Sequence, residues 1–140
     1  MGKIDYREIE DLQGQVSSHY NSISKATATI SSIDAKLAKL RSAKQSVGNI
    51  RSEIHEIKIS VMVQDDQPQW NGQQKENFGH QWEGFGQDFN ACQRELDAFH
   101  DAICDEITRL ENQKLDQQSF IGWCQAQINN LGNFIEKLLN

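Results

Sequence analysis

Proline is almost missing from this sequence: 140 residues contain one, Pro68, and nine glycines. Proline ends or kinks a helix by removing a donor and clashing with the preceding turn, so a chain this poor in it can sustain very long helices. Cysteine is scarce and odd in number, with Cys92, Cys104 and Cys124 all in the second half. On one straight helix, positions 12 and 20 apart stand roughly 18 and 30 Å apart, beyond disulfide reach, so reduced thiols are expected. No stretch approaches the ~18 consecutive apolar residues that cross a bilayer. The opening MGKIDYREIEDL carries acidic residues where a secretory leader has an apolar run, and Tyr6 stands where N-myristoylation wants Ser or Thr. A soluble chain made in the cytoplasm, with no signal peptide and no membrane insertion, is therefore expected.

Cations are also short. The formal net charge is -6 and the pI about 5.1. Residues 1–69 carry 9 Lys+Arg against 9 Asp+Glu, whereas residues 70–140 carry 5 against 11, so the deficit lies in the second half. Phosphate binding needs a positive face, which argues against nucleic acid or an anionic membrane as the main partner. Nor is there a nucleophile elbow, a phosphate loop, a zinc tetrad or a dinucleotide fingerprint, so no enzyme and no cofactor are expected. His100 and Cys104 stand at i and i+4, with Asp97, Asp101 and Asp105 alongside. Two neighbouring ligands do not make a metal site, and this cluster reads as a solvated acidic face beside a helical seam.

What the chain has in abundance is period. Apolar residues in the first half fall at Ile9, Leu12, Val16, Ile23, Ala26, Ile30, Ile33, Leu37, Leu40, Ala43, Val47, Ile50, Ile54, Ile57 and Val61, with His19 filling the gap. Those spacings of three, four or seven make an a/d seam sustained over about seven heptads. Leu37, Leu40 and Ala43 are two threes in succession, which reads as a local overwinding. Gly48 weakens the helix by about 1 kcal/mol without ending it. The second half repeats the pattern from Phe78, Trp82, Phe85, Phe89, Cys92, Leu96, Phe99, Ile103, Ile107 and Leu110 to Ile121, Cys124, Ile128, Leu131, Ile135 and Leu138, with polar Lys114 and Gln117 between. Cys92 and Cys124 then read as small buried hydrophobes.

The expected fold is all-α, a long coiled-coil-like antiparallel helical hairpin. Helix one covers about 4–63, the turn 64–73, and helix two about 74–139, either continuous or bent near 112–120 with a further helix at the C-terminus. Pro68 suits the turn. Two helices alone leave much of each stripe wet, especially at the bulky end built from Trp82, Phe85, Phe89 and Phe99. Self-association and pairing with another helical chain both answer that need.

The centre of the chain, QPQWNGQQKENF, carries Trp70-Asn71-Gly72 at the hairpin tip, with Phe78 eight residues after Trp70. A bulky Trp at a turn is costly unless it packs or binds, while Gly72 lets the backbone reverse. The arrangement resembles the WXG superfamily handled by type VII secretion systems. More specifically, the order LAKLRSAKQSVGNIRSEI, WNGQQKENF, DAICDEITRLENQ, FIGWCQAQINNLGNFIEKLL resembles the YwqH-like α-helical proteins associated with LXG-domain toxins of Gram-positive bacteria. That resemblance implies a non-enzymatic adaptor that pairs with the helical LXG domain, in some cases beside a second small helical protein, and presents the toxin to the membrane export ATPase. Trp70 and Gly72 would be the turn motif and Phe78 its following aromatic. The family's export signal is an aromatic followed four residues later by Asp or Glu, and here the sequence departs. Phe85, Phe89, Phe99, Phe120 and Phe134 are followed at that spacing by Phe89, Gln93, Ile103, Cys124 and Leu138. Tyr6 and Glu10 match, but at the opposite end, where they read as an exposed first turn; Phe85 to Asp88 is a looser candidate. A self-assembling coiled-coil scaffold, a homo-oligomer, and an immunity-type inhibitor are the other functions compatible with the residues.

Overall fold

The first helix begins at a cap. Oδ1 of Asp5 accepts the backbone N–H groups of Arg7 at 3.1 Å and Glu8 at 3.2 Å, and its carbonyl accepts that of Ile9 at 3.1 Å. These bonds satisfy donors that no earlier turn can reach, and Glu8 places negative charge at the positive end of the helix dipole. In the computed structural model, which describes residues 4–63 and 73–140, α1 runs Tyr6–Val63 and α2 runs Gln73–Leu139. Lys137 lies in the last turn of α2, where a cation offsets the exposed carbonyls.

The two helices pack against each other as the antiparallel hairpin that the repeat predicts. Polar contacts fix the direction: Arg51 pairs with Asp97, while further along α1 Lys58 donates hydrogen bonds to Asn90 and Gln93. No strand occurs among the described residues, and no helix there is long and apolar enough to cross a membrane. Trp70, Gly72 and nearly all of the expected turn lie outside the described residues.

Of the two courses left open for residues 112–120, the continuous helix is the one found. The facing repeat passes through Leu110, Lys114, Gln117, Ile121 and Cys124 without a break, and Lys114 and Gln117 are half-buried. Lys114 Nζ reaches Asp34 Oδ1 at 2.8 Å, which gives the charged end of that side chain a partner while its stem lies over the seam.

The chain divides into two packed units. The first pairs Met1–Ala38 with Thr108–Asn140, and the second is Lys39–Ile107. In the first unit the predicted stripe and the buried line coincide. Ile9, Ala26, Ile33, Leu37, Leu110 and Cys124 are buried, with Leu37 1% and Cys124 0% exposed, and Leu12, Val16, His19, Ile23 and Ile30 are half-buried between them. The His19 ring meets Trp123 edge-on at 5.5 Å between centroids.

The second unit corrects the sequence-based seam. Only Val47, Ile103 and Ile107 are buried among its described residues. Ile50 and Ile57, predicted on the seam, are 44% and 53% exposed, and the half-buried places beside them belong to Arg51 and Lys58. On α2, Phe85, Cys92 and Phe99 are exposed while Gly86, Gln93 and His100 are half-buried. Cys92 is thus not the buried thiol that the seam predicted; Cys124 is.

The reason is a difference of one residue. From Leu37 to Arg51 is fourteen residues and from Leu37 to Ile50 thirteen; the covered line follows the apolar residues through Leu40, Ala43 and Val47 and parts from them at Arg51. Beyond Val47 the covered line keeps Ile54 and Val61 but takes Arg51 and Lys58 in place of Ile50 and Ile57, each one residue, or about 100° of rotation, away.

Leu37→Ala should lower unfolding stability by about 2–5 kcal/mol, because it empties a filled site. Ile57→Ala, which the sequence ranks as equal, should cost about 0.5 kcal/mol. Chemical denaturation of the two variants separates the buried line from the exposed stripe.

Candidate partner-binding face

Within the second unit the side chains that face the neighbouring helix are alternately apolar and polar. On α1 they are Val47, Arg51, Ile54, Lys58 and Val61; on α2 they are Gly86, Phe89, Gln93, Leu96, His100 and Ile103. Arg51 Nε donates to Asp97 Oδ1 at 2.8 Å, and Lys58 Nζ donates to Asn90 Oδ1 at 3.0 Å and Gln93 Oε1 at 3.3 Å. The Arg51 and Asp97 side chains are 39% and 54% exposed, so their pair stabilises by at most about 1 kcal/mol. Its larger effect is to place Arg51, Asp97, Asn90 and Lys58 along one face of the unit.

The residue before each polar facing position points to the opposite face. Those residues are Ile50 and Ile57 on α1 and Phe85, Cys92 and Phe99 on α2, each about 100° of helical rotation from its successor. Equivalent positions on two antiparallel helices fall on the same side, because reversing the chain direction and crossing to the other helix each invert the side and the inversions cancel. By the register of the polar pairs, Ile50 lies level with Phe99 and Ile57 with Cys92. One face is therefore polar and paired, and the other carries an apolar strip open to solvent.

An aromatic ladder on α2 joins Phe85 of the strip to the half-buried Phe78, Trp82 and Phe89. Ring centroids are 6.0 Å apart between Phe78 and Trp82, 5.9 Å between Trp82 and Phe85, and 5.8 Å between Phe85 and Phe89. Such contacts are worth ~0.5–1.5 kcal/mol each beyond area burial. Beside the ladder is a cavity of about 170 Å³ lined by Val61, Trp82, Phe85 and Phe89, with Lys58 and Asn90 at its polar edge. Gly86 also lines it, and a Cβ built there meets nothing within 4 Å.

The structure brings Phe78, Trp82, Phe85 and Phe89 together as the spacing predicted; Phe99 stands two turns beyond Cys92 on the same strip. Tyr6, 68% exposed, and Glu10 occupy the start of α1, and Asp88 is exposed three residues after Phe85. His100 is half-buried at a facing position, not on the solvated flank the spacing suggested, and Cys104 Sγ lies 3.8 Å from its Nδ1. Asp97, which the sequence set beside His100 and Cys104, is engaged by Arg51. The residues that sequence reasoning missed are Ile50 and Ile57. Their signal was present in the thirteen-residue step from Leu37 and in the cation that follows each isoleucine.

Fold and face together define the class, an all-α antiparallel hairpin closed by a heptad seam. Its particular place is the YwqH-like family: the family model matches residues 14–133, so the chain belongs to it. Compared with curated proteins, the chain finds no match.

A thiol reagent added to the native protein should modify Cys92 at once, whereas Cys124 should react only as fast as local opening exposes it. Mass spectrometry of peptides from a short labelling pulse checks the order.

Proposed function

We propose that this protein is a non-enzymatic adaptor that binds the helical LXG domain of a cognate toxin in the cytoplasm and promotes its export by a Gram-positive type VII secretion system. Membership of the YwqH-like family supports the class of partner, and the open apolar strip supports the mode of contact. The strip is the observation that carries the reading, because exposed Phe85, Phe99, Ile50 and Ile57 gain free energy only when another apolar surface covers them.

In this reading the hairpin lays its strip along amphipathic helices of the toxin and keeps them soluble until export. A second small helical protein covers any remaining stripe. Trp70 and Gly72 form the turn motif, with Phe78 heading the aromatic ladder that leads from it. Contact with the export ATPase falls to a surface aromatic with a nearby acid, either Phe85 with Asp88 or Tyr6 with Glu10, or to an acidic signal on the partner chain. The adaptor needs no cofactor, metal or nucleic acid, and it travels with its cargo or remains behind.

The uninterrupted seam favours a second reading, a self-assembling scaffold. A closed oligomer of the purified chain, indifferent to toxin, would support that reading over the adaptor. Protection from the toxin with no effect on its export would point instead to immunity.

Deleting the gene from a producing strain should remove the toxin from the culture medium, and Trp70→Ala should reduce export while the protein still accumulates. Co-expression with the LXG domain should give one stable complex on size-exclusion chromatography. Undiminished export from the deletion strain would sink the adaptor reading.

A further inference from the structure

The sequence repeat and the contact line disagree in the second unit, and the disagreement has the same sense on both helices. On α1 the apolar series Val47, Ile50, Ile54, Ile57, Val61 steps by three and four, and on α2 so does the series from Phe78 to Ile103. Each is a complete heptad stripe. Each gives the larger part of its members, three of five on α1 and five of eight on α2, to the neighbouring helix and turns the rest toward the same open face. Stripes shared between two directions are the pattern of helices in a bundle of three or more, where every helix touches two others.

We propose that the groove between α1 and α2 on the face of Ile50, Ile57, Phe85, Cys92 and Phe99 is the seat of a third helix, supplied by another protein and bearing a heptad apolar stripe flanked by Lys or Arg. The adaptor reading supplies only the identity of that protein; the seat stands on geometry.

Heptad spacing selects a helix as occupant. Phe85, Cys92 and Phe99 recur about 10 Å apart along α2, matching Ile50 and Ile57 at the levels of Phe99 and Cys92, and a straight helix presents its own stripe at that interval. Cys92 is small between two phenylalanines, so the strip is notched at its middle.

Charge selects the partner. Stepping outward from the strip, the next positions are Ser46, Glu53 and Ser60 on α1 and Gln81, Asp88, Glu95 and Ala102 on α2. Glu53, Asp88 and Glu95 are exposed, and no Lys or Arg stands at those positions. A second copy docking strip to strip would set these carboxylates against themselves in a chain already at -6. A helix flanked by cations meets both rims favourably.

The test uses two labelled peptides of about four heptads with Leu at a and d, one with Lys and one with Glu at e and g. Fluorescence anisotropy with the full chain should show binding of the Lys-flanked peptide, weakened as NaCl rises from about 0.05 to about 0.5 M, and none of the Glu-flanked one. Ile57→Glu and Phe99→Glu should each weaken it about tenfold or more, while Tyr20→Glu in the first unit leaves it unchanged. Bound Lys-flanked peptide should also slow thiol labelling of Cys92 in the unsubstituted chain, a readout independent of how the variants fold. Absence of binding, equal binding of both peptides, or an unchanged Cys92 rate would overturn the proposal. So would a dimer in sedimentation that Phe99→Glu dissolves, which would assign the face to a second copy. No toxin enters these measurements, so their failure and a failure of the adaptor reading are separately visible.

Discussion

Each helix of this protein has one apolar stripe, and a stripe can be fully covered from one direction only. Where the neighbouring helix lies on the centre of the stripe, as in the first unit, Leu37 and Cys124 disappear from solvent. Where the neighbour lies on one edge, as in the second, each apolar residue that turns outward forgoes much of the ~1.5–3 kcal/mol that full burial would provide. The second unit is held by few buried side chains, Val47, Ile103 and Ile107, assisted by partly exposed polar pairs of small individual worth.

Those polar pairs decide direction more than strength. Arg51, Lys58, Gln93 and His100 occupy positions that a two-helix seam built for stability would fill with Leu or Ile. Their long stems cover neighbouring apolar surface while their heads reach Asp97, Asn90 and other partners at the edge. Polar residues at such positions characteristically specify register at a cost in stability. Here they also determine which edge of each stripe is used, and so which face of the unit is left apolar.

The two units are unlike. The first unit buries the centre of its stripe and leaves Leu115, Phe120, Trp123 and Phe134 exposed. The second presents an aromatic ladder, a cavity lined in part by Gly86, and an exposed strip with acidic rims. The YwqH-like family model spans nearly all of both helices, so these features lie inside the matched region. The adaptor reading and the third-helix seat both grow from the same thermodynamic fact, that apolar area left in water is free energy available to a partner of complementary shape.

The heptad repeat by itself determined that the chain is all-α, that it folds back once, and that Ile9, Ala26, Ile33 and Cys124 are buried. These outcomes depend on periodicity, which is local. It also carried the continuous course of α2 past Lys114 and Gln117, although a thinning seam left a bend equally open there. Only the tertiary structure decided that Ile50, Ile57 and Cys92 face water while Arg51, Lys58 and Gln93 face the neighbouring helix. A heptad stripe has two edges with nearly equal claims to a partner. The choice between them is made by pairings such as Arg51 with Asp97 and Lys58 with Asn90, between residues far apart in the chain whose meeting no local spacing encodes.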